Sequence, residues 1–262
     1  MFYSIFNLKN LFKKNHFMKT KVLMFGFLLM TIFSFNGIAQ QKAANNSKVT
    51  INPATSVLVK PTPNPYTAGK TKVKITTSVG TIIIKLYDST PQHRDNFVKL
   101  VKAGFYDSLL FHRVIQGFMI QGGDPMSKTA VDGAMLGMGG GDMERIPAEF
   151  NKNIIHKKGA LCAARDGNPT KASSACQFYI VQGNVSNEGD LFNMEQSKGI
   201  TYSAEQKNMY KTVGGTPFLD MDYTVFGETI SGLEVIDKIA LMKTDGSNRP
   251  LVNVMMKMEI VK

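Results

Sequence analysis

Arg113 lies in an otherwise largely apolar stretch, Phe111–Asp124, and is the most conspicuous side chain that could do chemistry. Charged side chains normally stay in water, and a buried charge without a partner is costly. Two explanations fit this placement. Arg113 could lie at the edge of a core strand and pair with a carboxylate. It could instead stand at the lip of an apolar pocket, meeting a polar group of a ligand while Phe118 and Met119 hold the ligand's apolar part.

The order of residues in this stretch resembles the signature of the cyclophilins, a family of peptidyl-prolyl cis-trans isomerases. Residues 111–124 read Phe-His-Arg-Val-Ile-Gln-Gly-Phe-Met-Ile-Gln-Gly-Gly-Asp. Residues 96–100 and 104–106 precede the signature with the family's Asn-Phe-x-x-Leu and Gly-Phe-Tyr patterns. The match is long and specific, so the chain is similar to this family over more than one short motif.

Two later blocks continue the resemblance in the same order. Residues 159–165 and 177–181 are similar to the family's paired central strands, and residues 218–227 are similar to its Trp-Leu-Asp-x-x-x-Val-Phe-Gly run. Phe218 stands at the tryptophan position, and Tyr223 stands where many members carry histidine. The resemblance therefore covers about residues 71–262, with departures at the third block.

The resemblance assigns roles to particular side chains. Arg113 would donate to the proline nitrogen while the preceding bond is twisted, and Gln121 would hold Arg113 or the substrate carbonyl; these are the two expected catalytic residues. Gln177 would line the adjoining groove, and Ala164 would leave room for the peptide. The other expected substrate-binding residues are Phe118, Met119, Tyr179 and Leu219 in a proline pocket, Ile115, Phe218 and Phe226 around it, and Tyr223.

The implied reaction needs neither a nucleophile nor a cofactor, and we expect no cofactor and no metal. Rotation about a peptide bond faces a barrier of about 18–20 kcal/mol, set by the double-bond character of the C–N bond. Before proline the cis and trans forms differ by only about 0.5–1 kcal/mol, so a catalyst must favour the twisted state over both. His112 is expected to be structural, and the four histidines show no metal-ligand spacing.

The predicted fold is mainly β. Apolar and polar residues alternate over Thr71–Leu86 around a turn at residues 78–80, which predicts a hairpin. A helix is predicted to begin at Thr90-Pro91 and to end at Gly104, with His93 in solvent on its polar side. The resemblance implies a closed eight-stranded antiparallel β-barrel capped by two helices, with the site on the barrel's outer face.

Residues 183–217 are longer than the corresponding connection in minimal members of the family. Ser203 followed by Gln206 forms a capping-box pattern that predicts a helix. Leu191 and Met194 suggest a shorter helix before it. We therefore expect a helical hairpin inserted beside the site, which could serve only for packing or could help to hold the substrate.

Residues 1–39 are predicted to be an export signal. Lysines precede Val22–Phe35, an apolar or neutral run of 14 residues, and the small residues Gly37 and Ala39 follow. The run is short for a membrane span, although an uncleaved anchor is the alternative. Residues 1–17 would then be an upstream extension.

Residues 40–70 are polar and rich in proline, which is typical of a flexible tether before the domain at 71–262. Without the signal, 26 basic residues stand against 20 acidic ones, a net charge of +6. The lysines are scattered, so we expect no nucleic-acid binding. We expect a monomer exported to the bacterial periplasm, without membrane contact after signal cleavage, acting on proline-containing segments of folding proteins.

Two other features bear on function. Cys162 and Cys176 could form a disulfide in an exported protein, but two buried thiols are the favoured interpretation. Glycine-rich residues 125–146 lack the Gly-Lys-Ser/Thr ending of a phosphate loop, which favours a flexible surface loop.

Two functions of different classes fit these residues. The favoured one is an active prolyl isomerase. The alternative is a non-catalytic peptide-binding chaperone module, suggested by the departures at Phe218 and Tyr179. Because phenylalanine cannot donate the hydrogen bond that tryptophan gives to cyclosporin in sensitive relatives, we expect weak inhibition by cyclosporin.

Overall fold

A computed structural model describes residues 69–261 of the chain. The predicted signal peptide at 1–39 and nearly all of the predicted tether at 40–70 lie outside the described residues. The predictions for those segments therefore stay predictions.

Within residues 69–261, eight strands form one antiparallel sheet, which confirms the mainly β prediction. The sheet order is β3-β4-β6-β5-β7-β2-β1-β8. Because β3 and β8 end this order, the described ladders give a curled half-barrel, and the predicted closure is not established by them. The strands are β1 (Lys72–Thr77), β2 (Gly80–Leu86), β3 (Phe111–Ile115), β4 (Met119–Gly122), β5 (Ala160–Ala163), β6 (Phe178–Val181), β7 (Val225–Ser231) and β8 (Met256–Val261).

Four α-helices accompany the sheet in this part of the chain, where two capping helices and a helical hairpin were expected. They are α1 (Pro91–Lys102), α2 (Glu188–Lys198), α3 (Ala204–Thr212) and α4 (Leu233–Ala240). The capping box of Ser203 and Gln206 forms at the start of α3 as predicted. None of the helices in residues 69–261 is long and apolar enough to cross a membrane.

The sheet separates two apolar clusters because successive side chains on a strand point to opposite faces. The inner cluster includes Val73, Ile75 and Phe178, together with apolar residues of α1 and α4. The outer cluster includes Met119 and Tyr179, with Phe118, Leu219 and Tyr223 packed against it. Since the strands β5 and β6 are buried on both faces, they contribute to both clusters.

A bulge in β3 decides which way Arg113 points. The pairing with β4 shifts between Phe111 and Arg113, so that His112 is an extra residue in the strand. Phe111 and Val114 consequently both lie in the inner cluster although they are three residues apart. Arg113 is left on the outer face, directly opposite Gln121.

The two cysteines are free and buried, as the favoured interpretation predicted. Cys162 belongs to the outer cluster and Cys176 to the inner cluster. Their side chains therefore lie on opposite faces of the sheet, which explains why they do not pair.

The prediction that His93 is in solvent is wrong. His93 is 2% exposed. Its Nδ1 atom lies 2.6 Å from Glu149 Oε2, and its Nε2 atom lies 3.0 Å from Ser173 Oγ. Burial lowers the pKa of His93, against the opposing effect of Glu149. Both partners come from distant parts of the chain, so the local helical pattern could not reveal them.

Candidate active site

An open recess with a cavity volume of about 90 Å³ lies on the outer face of the sheet. Strands β3, β4 and β6 supply one side of it, and the short 3₁₀ turn Pro217–Leu219 with the residues after it supplies the other. Its lining side chains are mostly apolar or aromatic, with three polar ones. The lining residues are Arg113, Phe118, Met119, Gln121, Ala164, Arg165, Tyr179, Leu219 and Tyr223.

Arg113 stands at this recess without an acidic partner. An Nη1–H of Arg113 donates to Oε1 of Gln121 over 3.1 Å. Across the described residues, Arg113 forms no ion pair within 4.0 Å of a carboxylate. Of the two explanations for this arginine, the geometry supports the pocket lip and not the acid-paired strand edge.

Gln121 and Gln177 continue a hydrogen-bonded chain away from Arg113. Gln121 donates from Nε2 to Oε1 of Gln177 over 3.1 Å. Gln177 in turn donates to the carbonyl oxygens of Gly137 and Gly139, each over 2.9 Å. The arginine is thus positioned by neutral amides that leave its charge uncompensated.

The glycine-rich loop forms a wall of a second groove beside the recess. This groove has a cavity volume of about 190 Å³ and is lined by the loop residues 137–141, by Gln177 and by Arg145. Gln121, Ala164 and Arg165 line both cavities. Two side chains hold this loop segment. Asp124 accepts a hydrogen bond from the backbone N–H of Gly137, and Gln177 donates to the carbonyl oxygens of Gly137 and Gly139.

Two phenylalanines form an aromatic shelf at the mouth of the recess. The ring centroids of Phe118 and Phe218 are 5.5 Å apart. Phe218 is 48% exposed and lies outside the recess lining, so it borders the mouth. Ile115 packs against the outer cluster and also lies outside the lining.

Phe226 does not lie at the recess, in contrast to the prediction. It belongs to the inner cluster, where its ring centroid is 5.4 Å from that of Phe97. Phe226 lies on β7 beside Val225, which faces the outer cluster. The alternation of side chains along this strand turns Phe226 to the opposite face.

Tyr179 forms the back wall of the recess and is tied to a buried polar cluster. Its hydroxyl lies 3.1 Å from Nε2 of His156, whose Nδ1 lies 2.7 Å from Oδ1 of Asp220. The carboxylate of Asp220 also accepts from the hydroxyls of Tyr202 (2.7 Å) and Tyr210 (2.5 Å). Burial raises the pKa of Tyr179 well above its ordinary value, so the phenol stays protonated.

The sequence reasoning missed three residues of this site. Arg165 follows Ala164 in the second block of the resemblance, and this adjacency was the available signal. Asp220 stands at the aspartate of the third block of the resemblance, which was its available signal, whereas the burial of His156 follows only from the fold. Among the described residues, no group of three or more His, Cys, Asp or Glu is arranged to hold a metal ion.

Comparison with known families gives an independent view of the same residues. The model of the family described as "Cyclophilin type peptidyl-prolyl cis-trans isomerase/CLD" matches residues 72–260. That range includes every lining residue of the recess.

Two bacterial proteins described as peptidyl-prolyl cis-trans isomerases are similar to this chain. A Staphylococcus saprophyticus protein assigned as a peptidyl-prolyl cis-trans isomerase is 36% identical over 183 residues, which cover 69% of this chain and 86% of the relative. One from Staphylococcus aureus strain USA300 is 36% identical over 190 residues, covering 72% of this chain and 90% of the relative.

Solved structures agree on the fold. The crystal structure of a Cryptosporidium parvum cyclophilin type peptidyl-prolyl cis-trans isomerase matches with a TM-score of 0.55 and 25% identity, covering 73% of this chain and 98% of that one. A second crystal structure of the Cryptosporidium parvum protein, determined in the presence of the dipeptide Ala-Pro, matches with a TM-score of 0.53 and 23% identity. The match covers 73% of this chain and 99% of that one.

Proposed function

Starting from the fact that this chain belongs to the cyclophilin-type peptidyl-prolyl cis-trans isomerase family, we propose that it accelerates rotation about Xaa-Pro bonds during the folding of exported proteins. The assignment of the active site rests on one observation: Arg113 faces an apolar recess and is held by the neutral side-chain amide of Gln121. An arginine that is not neutralised by an acid can direct its charge at a substrate.

The recess suits a proline ring. Phe118, Met119 and Leu219 offer apolar surface, and Tyr179 presents its ring while its hydroxyl is engaged behind the wall. Burial of the ring would fix one side of the rotating bond. Rotation then requires only that the flanking chain turn relative to the held ring.

Arg113 would act on the twisted state. As the bond turns, the proline nitrogen loses its conjugation with the carbonyl and gains a lone pair that can accept a hydrogen bond. The guanidinium donates to this lone pair, which is unavailable in either planar form, so the interaction is specific to the transition state. Gln121 would keep the guanidinium aimed at this position.

Peptide isomerisation by wild type and Arg113→Ala tests this assignment. We expect the substitution to lower kcat/KM by about 100-fold or more, the size of effect seen when one preorganised donor is removed. The matched control is Arg94→Ala, since Arg94 lies on α1 and is paired with Asp88 and Asp95. Equal rates for wild type and Arg113→Ala would contradict the assignment and favour the non-catalytic peptide-binding module.

Export and barrel closure belong to the same proposal. Export is supported by the lysine-preceded apolar run at 22–35, and amino-terminal sequencing of the periplasmic protein should find a start after Ala39.

Closure of the barrel is supported by two backbone hydrogen bonds, Phe111 N–H to Val254 O (3.0 Å) and Met256 N–H to Leu109 O (2.8 Å). Both amides should be protected from hydrogen exchange, and fast exchange at both would argue for an open sheet.

A further inference from the structure

We propose that Arg165 is a specificity-determining residue that makes this isomerase favour substrates with an acidic side chain next to the proline. The inference rests on the proposed function, because it names a substrate class for the same site. It begins from the position of Arg165, which lines both the recess and the adjoining groove.

The charge of Arg165 is held in place without being neutralised. Its guanidinium carbon lies 4.4 Å from the centroid of the Tyr223 ring. Its Nε–H donates to the carbonyl oxygen of Asp222, and an Nη1–H donates to the carbonyl oxygen of Asp166, each over 2.9 Å. Ring and carbonyl contacts orient a guanidinium but leave its positive charge available to a ligand.

The carboxylate of Asp222 is already taken by two lysines. Lys171 lies 2.5 Å from its Oδ1, and Lys198 pairs with its Oδ2. Burial would raise the pKa of Asp222, but the two ammonium groups outweigh burial and hold the pKa below its ordinary value. This group of three side chains therefore contributes a net positive charge beside Arg165.

The carboxylate of Asp166 is likewise engaged. Arg145 binds it through two bonds of 2.6 and 2.7 Å. This bond pair lowers the pKa of Asp166. Within the described residues, no carboxylate pairs with either Arg113 or Arg165, so the two guanidiniums give the recess a surplus of positive charge.

The route of a bound peptide brings its side chains close to Arg165. The recess and the adjoining groove share Gln121, Ala164 and Arg165 in their linings, so a chain whose proline fills the recess and that continues into the groove runs along these three residues. Along this route a residue adjacent to the proline comes close to the Arg165 guanidinium. A carboxylate at that position would meet an oriented and uncompensated cation, whereas a lysine would be repelled.

The test compares peptides that differ only in charge. A host peptide with one proline carries Glu, Gln or Lys at the position immediately before or immediately after it. Exchange between the cis and trans NMR signals gives kcat/KM without a coupling protease. For wild type we expect Glu to exceed Gln by about 2- to 5-fold at the position immediately before or after the proline at low salt, the range of an exposed ion pair. The ratio should fall towards one in about 1 M NaCl.

Variants assign the preference to one side chain. Arg165→Gln should reduce the Glu-to-Gln ratio to about one, and Arg165→Lys should retain part of it because the charge remains. Lys99→Gln, an exposed position on α1, removes the same charge far from the recess and should leave the ratio unchanged.

Each outcome has a distinct meaning. Equal rates for Glu, Gln and Lys at all positions in an active wild type would overturn the inference and leave the proposed function intact. A preference for Glu that persists in Arg165→Gln would overturn the role of Arg165. Failure of wild type to exceed Arg113→Ala on any peptide would instead refute the proposed function.

Discussion

The imidazole of His156 lies beyond the hydroxyl of Tyr179, with its Nε2 atom 3.1 Å from that hydroxyl, the ring centroids 6.3 Å apart and the two rings nearly parallel at 12°. Since Nδ1–H donates to Asp220, a neutral His156 accepts at Nε2 from Tyr179. Asp220 is 3% exposed and also receives the hydroxyls of Tyr202 and Tyr210 from the inserted segment 183–217. The insertion is therefore connected to the back wall of the recess by buried hydrogen bonds.

Asp220→Asn should destabilise the protein strongly. Asparagine keeps the size of the side chain, but its amide nitrogen cannot accept a hydrogen bond from a tyrosine hydroxyl or from the imidazole N–H. We expect a loss of about 3 kcal/mol in the free energy of unfolding, the size typical of breaking a buried charged network. Urea unfolding measures it, with the exposed Asp142→Asn as control. A loss below about 1 kcal/mol would mean that the network contributes little.

Tyr179→Phe should separate stability from catalysis. The ring that lines the recess remains, so kcat/KM should stay within about threefold of wild type, while the acceptor of His156 loses its buried partner at a cost of about 1–3 kcal/mol. Unfolding in urea and the peptide assay measure the two effects on the same sample. A large fall in kcat/KM without loss of stability would show that the hydroxyl itself takes part in the reaction.

Arg113→Lys should rescue little of the activity lost in Arg113→Ala. Lysine keeps the charge, but it lacks the planar fork that donates to Gln121 and to the substrate at the same time. We expect kcat/KM to remain at least about 10-fold below wild type. Circular dichroism checks that both variants are folded. Activity of the lysine variant close to wild type would show that charge alone is sufficient.

Acid should destabilise the protein through its buried histidines. Burial is the main cause that lowers the pKa of His112 from 6.5 to about 4, against the opposing effect of Asp124. A lowered folded pKa means that stability is complete above pH 6.5 and declines as the pH falls towards 4, because the unfolded chain binds the proton first. Between pH 7 and pH 5 the expected loss is about 2 kcal/mol from His112, and His93 adds to it in the same direction.

Urea unfolding of wild type and His112→Leu at the two pH values measures this contribution. The variant should lose less stability than wild type on acidification, whatever its stability at pH 7. Parallel losses in the two proteins would show that His112 is not the group that titrates.

Cyclosporin should inhibit the wild type weakly, and Phe218→Trp should strengthen inhibition. Phe218 lies at the mouth of the recess with 48% of its surface exposed, so a larger ring can be accommodated there. An indole N–H adds one hydrogen bond, and we expect a gain of about 2- to 10-fold in affinity. Cyclosporin inhibition curves of the wild type and of Phe218→Trp, measured with the same peptide substrate, give the two affinities. Full sensitivity of the wild type would contradict the prediction.

Local patterns in the sequence were sufficient for several elements. The hairpin of β1 and β2, the start of α1 at Thr90-Pro91 and the capping box of α3 follow from turn, proline and capping chemistry that acts within a few residues. The resemblance to the isomerase family also selected nearly all of the side chains that meet at the recess. Such residues could be named because their order along the chain is enough to identify them.

Tertiary structure alone decided the direction in which side chains point and what they meet. The bulge at His112 turns Arg113 to the outer face, whereas the register of β7 turns Phe226 to the inner one. Neither choice is marked in the sequence, because a shift of one residue reverses every side chain of a strand without changing its composition. The contacts of Asp220 and the uncompensated charge of Arg165 likewise depend on residues far apart in the chain, and only folding brings those residues together.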